Sequence, residues 1–213
     1  MEFQFLPTPT KFRRAFGFKT DHATIYVIPY GKEKLIARVS RFDPGNKISP
    51  YLRREYFSQA LFNLFFPENS IKPRGITKIV SPRFKIFGLS FFKIVNWALV
   101  SEIVRGRSVE YKDYQKKAYS KGRFWDTSAP QFSFTFSSEV QGIVRSLSNC
   151  GFVVERHPVN VINSNGKPVF VELDGIEPIK IKNAINLLPK EKQDLARKYL
   201  DGCVLAMRAV AEI

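Results

Sequence analysis

Sulfur and imidazole are scarce in this chain: 213 residues hold two Cys, two Met and two His. The two cysteines, Cys150 and Cys203, do not make a disulfide scaffold, and no Cys/His cluster supports a zinc site. Both fall on apolar helix faces, which reads as free thiols in a reducing, cytoplasmic compartment; a disulfide between them is the alternative. No run approaches the roughly 18 apolar residues of a membrane span. The opening Met1-Glu2-Phe3-Gln4-Phe5 lacks the basic start and apolar run of a signal peptide. Glycine is sparse near the start, with Gly17 alone in the entry loop, so no glycine-rich phosphate cradle is expected there.

Acidic residues are also few, and their scarcity is uneven. Residues 1–120 carry 22 Lys and Arg against 9 Asp and Glu, whereas residues 121–213 carry 12 against 10. Nearly all of the +15 net charge therefore lies in the first half. Such a field attracts polyanions: nucleic acid, nucleotide phosphates, another anionic substrate or the surface of an anionic membrane. A basic chain that is merely soluble is the bland alternative. The ordinary apolar share, 44 %, and the 20 Phe mark a folded globular chain, long enough for one good core or two small lobes.

What is present falls into a readable order. Ala23–Tyr30 and Lys34–Ser40 read as a β-hairpin around Gly31-Lys32-Glu33. Arg38 stands in the returning strand. Ser49-Pro50 is a helix start, with Ser as N-cap and Pro in the first turn, and the helix is expected over 50–66. Its Glu55 lies on a semi-apolar face, a candidate partner for a buried cation or for solvent and its Arg neighbours. Ile71–Ile86 is expected to form two basic strands, or a strand and a loop. An apolar strand follows and ends at Ser101-Glu102, before Arg105-Gly106. Residues 107–136 mix aromatic and basic residues; a short amphipathic helix and a strand are favoured over a stacking surface for bases.

The most informative stretch is 138–178. Val140, Ile143, Val144 and Leu147 give residues 138–149 one apolar helix face, and Gly151 stands where a left-handed cap is expected. Asn165-Gly166 is a tight-turn signal between the runs Val159–Ile162 and Val169–Val171. That hairpin folds Asn160 back near Glu172. Glu155, Asn160, Glu172 and Asp174 thus stand at element ends, and oxygen ligands gathered in this way suit Mg²⁺. An ordinary hairpin with solvated acids is the bland alternative. After Gly175, Ile179–Leu188 is a short helix or extended segment. Pro189 opens a last helix with the apolar stripe Leu195, Tyr199, Cys203, Met207 and Val210.

Taken in order, these elements resemble the protein-kinase-like superfamily in its small bacterial form, the aminoglycoside and lipopolysaccharide kinases. In that family an Asp precedes a metal-binding Asn by five positions. Here Glu155 precedes Asn160 by five, with Pro158 between them, and Val153-Val154 replace the usual His-Arg. Glu172-Leu173-Asp174-Gly175 corresponds to the Asp-Phe-Gly turn.

The resemblance implies an α+β, two-lobed fold: a β-rich N-lobe over 1–104 and a mostly helical, shortened C-lobe over 105–213. It implies ATP and Mg²⁺ as ligands. Arg38 would replace the phosphate-binding Lys, held by Glu55. Backbone around Glu102 to Val104 would meet the adenine. Glu155 would be the catalytic carboxylate, and Asn160 with Glu172 or Asp174 would hold the metal. The implied activity is phosphotransfer to a small-molecule or sugar- or lipid-linked hydroxyl. Two alternatives stand beside it: a pseudokinase binding module, and a nucleic-acid-binding protein carried by the basic first half.

Overall fold

The computed structural model describes residues 3–19, 23–40, 47–86, 89–106, 111–113, 123–125, 130–154 and 160–212. The chain is mixed α+β, with a sheet in its first part and helices after it. It divides into two compact units: Met1–Leu61, Lys72–Ile103 and Leu195–Ile213 form one, Phe62–Ile71 and Val104–Asp194 the other. The chain passes from the first unit to the second after Ile103, and the last helix groups mainly with the first unit.

The first unit is built on a five-stranded sheet in the order β1-β2-β3-β5-β4. Its strands are β1 (Arg13–Lys19), β2 (Ala23–Tyr30), β3 (Glu33–Ser40), β4 (Pro73–Ile86) and β5 (Leu89–Glu102). β2 and β3 form the expected hairpin, with Tyr30 opposite Glu33 and Gly31 at φ 59° in the turn. Alternation along β3 sends Leu35, Ala37 and Val39 to one face. They join Leu6, Ile28, Ile79, Ala98 and Val100 in a buried core. Arg38 therefore belongs to the opposite face.

Helix α1 (Pro50–Phe65) starts as its sequence dictates: the Leu52 N–H donates to Ser49 Oγ at 3.1 Å, and Pro50 occupies the first turn. Its buried residues include Leu52, Tyr56, Phe57, Ala60, Leu61 and Phe62, so it is enclosed on more than one side.

Two expectations need correction in this unit. Ile71–Ile86 is neither two strands nor a strand and loop: Pro73–Ile86 is one 14-residue strand, paired along its length with β5. The prolines and Gly75 read as breaks, but β4 is the edge of the five-stranded sheet, where a missing N–H is tolerated, and register shifts at Pro73/Gly75 and Pro82/Phe84 absorb the irregularity. The final helix, α5 (Lys190–Ala211), carries the expected stripe in part: Cys203 is buried and Tyr199, Met207 and Val210 are half-buried, but Leu195 is 40 % exposed, and Ala196, Leu200 and Ala206 complete the buried face. The small residues Ala196, Gly202 and Ala206 allow close approach there.

In the second unit, β6 (Tyr111–Asp113) and β7 (Arg123–Trp125) pair, and α2 covers Pro130–Thr135; the remainder of 107–129 lies outside the described residues. Helix α3 (Ser138–Asn149) matches its expected bounds, capped by Ser137 Oγ accepting from the Val140 N–H. Gly151 follows at φ +93°. Strands β8 (Phe152–Val153) and β11 (Gly175–Ile176) pair with each other, as do β9 (Val161–Ser164) and β10 (Lys167–Phe170). Asn165 (φ 54°) and Gly166 (φ 86°) make the two-residue turn between β9 and β10. Helix α4 (Pro178–Ala184) continues into a 3₁₀ turn at Ile185–Leu187. Phe62, Phe65 and Phe66 surround the fully buried Phe152 at ring-centroid distances of 5.3, 5.4 and 5.9 Å.

Gly151 and Gly166 separate two causes of glycine dependence. A Cβ at Gly166 meets nothing within 4 Å, so Gly166→Ala carries only the left-handed backbone cost, about 1–2 kcal/mol. A Cβ at Gly151 would lie 2.9 Å from the Glu177 carbonyl oxygen, so Gly151→Ala adds a steric cost of about 1–3 kcal/mol. Urea unfolding of both variants is expected to give a clearly lower midpoint for Gly151→Ala; equal midpoints would contradict the close approach to Glu177.

Candidate phosphate and metal sites

In the first unit, β3 aims Arg38 at the sheet face opposite the Leu35–Val39 core, between Ile25 on β2 and Leu99 on β5. Glu55, in the second turn of α1, meets it: the Arg38 guanidinium forms an ion pair with the Glu55 carboxylate. The two side chains are 24 % and 26 % exposed, so the pair is partly desolvated. The expected Arg38–Glu55 pair is therefore present in the fold. An arginine so held offers a planar fork of N–H donors, which suits bidentate phosphate contact.

Glu102 ends β5 opposite Leu35. Its carboxylate joins a surface network that the sequence did not signal: Arg74 Nη2 at 2.7 Å, Lys72 Nζ at 3.9 Å, with Arg74 also 3.5 Å from Glu33. The Glu102 N–H donates to the Lys72 carbonyl at 3.1 Å. That N–H is thus used by the backbone next to β4, and Val104 further on is half-buried.

In the second unit, the β9–β10 hairpin continues one step beyond its strands. The Val171 N–H donates to the Asn160 carbonyl at 2.9 Å, which sets Asn160 beside the segment leading into Glu172. At the other end of that segment, the Asp174 N–H donates to the Val153 carbonyl at 3.0 Å. The turn from Glu172 to Asp174 is thereby tied at both ends, to the residue before β9 and to β8. Glu172 and Asp174 are exposed, and Asn160 is half-buried. Glu155 lies outside the described residues.

Two carboxylates and an amide oxygen fit Mg²⁺ by donor type, since that ion is commonly held by one or two carboxylates together with substrate phosphates. Among the described residues, no three His, Cys, Asp or Glu gather in a way that could hold a metal by themselves.

The thiols are not candidate nucleophiles. Burial pushes Cys203 from 9.0 up to about 12, against the opposing pull of Arg54. Burial also raises the half-buried Cys150. Both cysteines are free. No family model, curated protein or solved structure matches this chain.

The raised acids set a direction for alkaline stability. Cys203 keeps its proton in the fold at pH values where the unfolded thiol has lost it, so its contribution is complete below pH 9.0 and fades as pH rises through about 12. Tyr56 and Tyr199, both raised from 10.0 chiefly by burial, act in the same direction above that value. Urea midpoints are expected to be level up to about pH 9 and then to fall, less steeply in Cys203→Ala. A Cys203→Ala profile with the wild-type slope would contradict this assignment. Thiol labelling at pH 8 is expected to reach Cys150 well before Cys203.

Proposed function

We propose that this chain is a divergent member of the protein-kinase-like superfamily, two-lobed, that binds Mg-ATP and transfers its γ-phosphoryl group to a small-molecule or sugar- or lipid-linked hydroxyl. The observation that carries the reading is the Arg38–Glu55 ion pair between the third strand and the helix that follows it. Kinases hold a Lys on their third strand through a Glu on the next helix, and that pair must form before phosphates are positioned. The anchored turn at Glu172–Asp174, facing Asn160, is the second support.

In this reading Arg38, oriented by Glu55, binds the nucleotide phosphates. Glu155 orients the acceptor hydroxyl and takes its proton as the oxygen bonds to the γ-phosphorus. The bond from the γ-phosphorus to the bridging oxygen breaks, and ADP leaves. Asn160, with Glu172 or Asp174, would hold the Mg²⁺, which supplies neutralisation of charge on the β- and γ-phosphate oxygens. Most of the acceleration comes from positioning and charge, which is work this chain's ordinary side chains can do.

A second reading, a nucleotide-binding pseudokinase, is favoured by three sequence departures: Arg38 for Lys, Glu155 for Asp, and no glycine cradle near Gly17. Both readings require nucleotide binding and differ only in turnover.

Thermal melting with and without Mg-ATP tests the shared requirement. At about 100 times its dissociation constant, the nucleotide adds about 2.7 kcal/mol to wild-type stability. The shift is expected to vanish in Arg38→Ala and to persist, reduced, in Arg38→Lys. No shift in wild type at millimolar Mg-ATP would overturn both readings. Where the shift is present, ADP production lost in Glu155→Gln supports the transferase, and no ADP production from wild type with any hydroxyl acceptor leaves the binding module.

A further inference from the structure

A surface strip in the first unit goes unused by the proposed chemistry. Residues 4–6 run alongside β4: the Leu6 N–H donates to the Ile76 carbonyl, and the Ile76 N–H to the Gln4 carbonyl, both at 2.9 Å. Phe5 lies opposite Ile76 in this parallel bridge, and alternation puts it on the same face as Phe3. Phe3 packs on Tyr56 and Phe57 of α1, at 5.7 and 5.0 Å between ring centroids. Phe5 is 57 % exposed and meets Trp97 of β5 at 5.9 Å. Trp97 is opposite Lys78, so both belong to that face as well.

Two cations lie over rings of the strip. Lys78 Nζ is 4.9 Å from the Trp97 ring centre, and the Arg53 guanidinium is 5.5 Å from Phe3. The strip therefore combines outward apolar rings with long basic side chains, in the half of the sequence that holds 22 basic residues against 9 acidic.

We infer that this strip docks the protein on an anionic lipid bilayer, with Phe5 entering the interface and Lys78 and Arg53 meeting lipid phosphates. Charge complementarity selects a polyanion, and ring geometry selects the bilayer over single-stranded nucleic acid. Successive bases stack on parallel, open ring faces. Here Phe3 and Phe5 are tilted by 68° and Phe5 and Trp97 by 59°, and cations cover faces of Phe3 and Trp97. A bilayer interface needs no ring parallelism; aromatic edges insert while basic heads extend to the phosphates.

The test is sedimentation of the full chain with vesicles of phosphatidylcholine alone or mixed with phosphatidylglycerol. Binding only to the mixed vesicles, weakened roughly tenfold in Phe5→Ser and at least about fivefold in Lys78→Glu, is the expected result. Lys182→Glu, an exposed charge on α4, controls for net charge and is expected to change binding less than about twofold. In a Trp125→Phe background, Trp97 emission should shift to the blue on binding. Unchanged melting of Phe5→Ser and Lys78→Glu shows that each is folded; a destabilised Phe5→Ser is replaced by Phe5→Gln. Absent vesicle binding, or binding that Lys182→Glu weakens as much as Lys78→Glu, would overturn the inference. Loss of oligodeoxythymidylate binding in the strip variants, with vesicle binding unaffected, would also overturn it.

Discussion

The ion pair between Arg38 and Glu55 is the constraint on which the account of this chain turns. It joins a strand to the helix after it, on the sheet face opposite the apolar core. A pair about one-quarter exposed adds about 1 kcal/mol or less to stability, so its use is positional. It fixes where a guanidinium points, and at what orientation. The surrounding sequence is arranged for this result. Leu35, Ala37 and Val39 commit the other face of β3 to the core, and Ser49-Pro50 starts α1 so that Glu55 comes round in its second turn.

The second unit solves a different problem, holding a short acidic turn in place. Gly151 lets the chain leave α3 against Glu177, and the Glu177 N–H donates to the Gly151 carbonyl at 2.7 Å. Two further backbone bonds pin Val171 to Asn160 and Asp174 to Val153. These contacts set the backbone of the turn that carries the two exposed carboxylates, next to the backbone of Asn160. The basic, aromatic strip of Phe3, Phe5, Trp97 and Lys78 calls for a different partner chemistry.

Much of this was legible wherever a local signal decides the structure. The Ser49 helix start, the Gly31 and Asn165-Gly166 turns and the apolar spacing of 138–149 are each settled within a few residues. The Arg38–Glu55 pair was also legible, because a resemblance supplied a partner that spacing alone left open. Where long-range context decides, the sequence misleads. Pro73, Gly75 and Pro82 look like breaks and sit in one edge strand. Ala196 and Ala206 share the buried face of α5 with Leu200 and Cys203, whereas Leu195 lies outside it. Glu102 finds Arg74 and Lys72 only through strand pairing, and Phe5 finds Trp97 in the same way. Neither connection leaves a periodic trace.

The most direct measurement is a double-mutant cycle on Mg-ATP affinity, using wild type, Arg38→Ala, Glu55→Ala and the double variant, with calorimetry as the readout. If Glu55 acts by orienting Arg38, the two single losses overlap, and the double variant binds about as weakly as Arg38→Ala alone. Losses that simply add, or an affinity indifferent to both residues, would contradict the account.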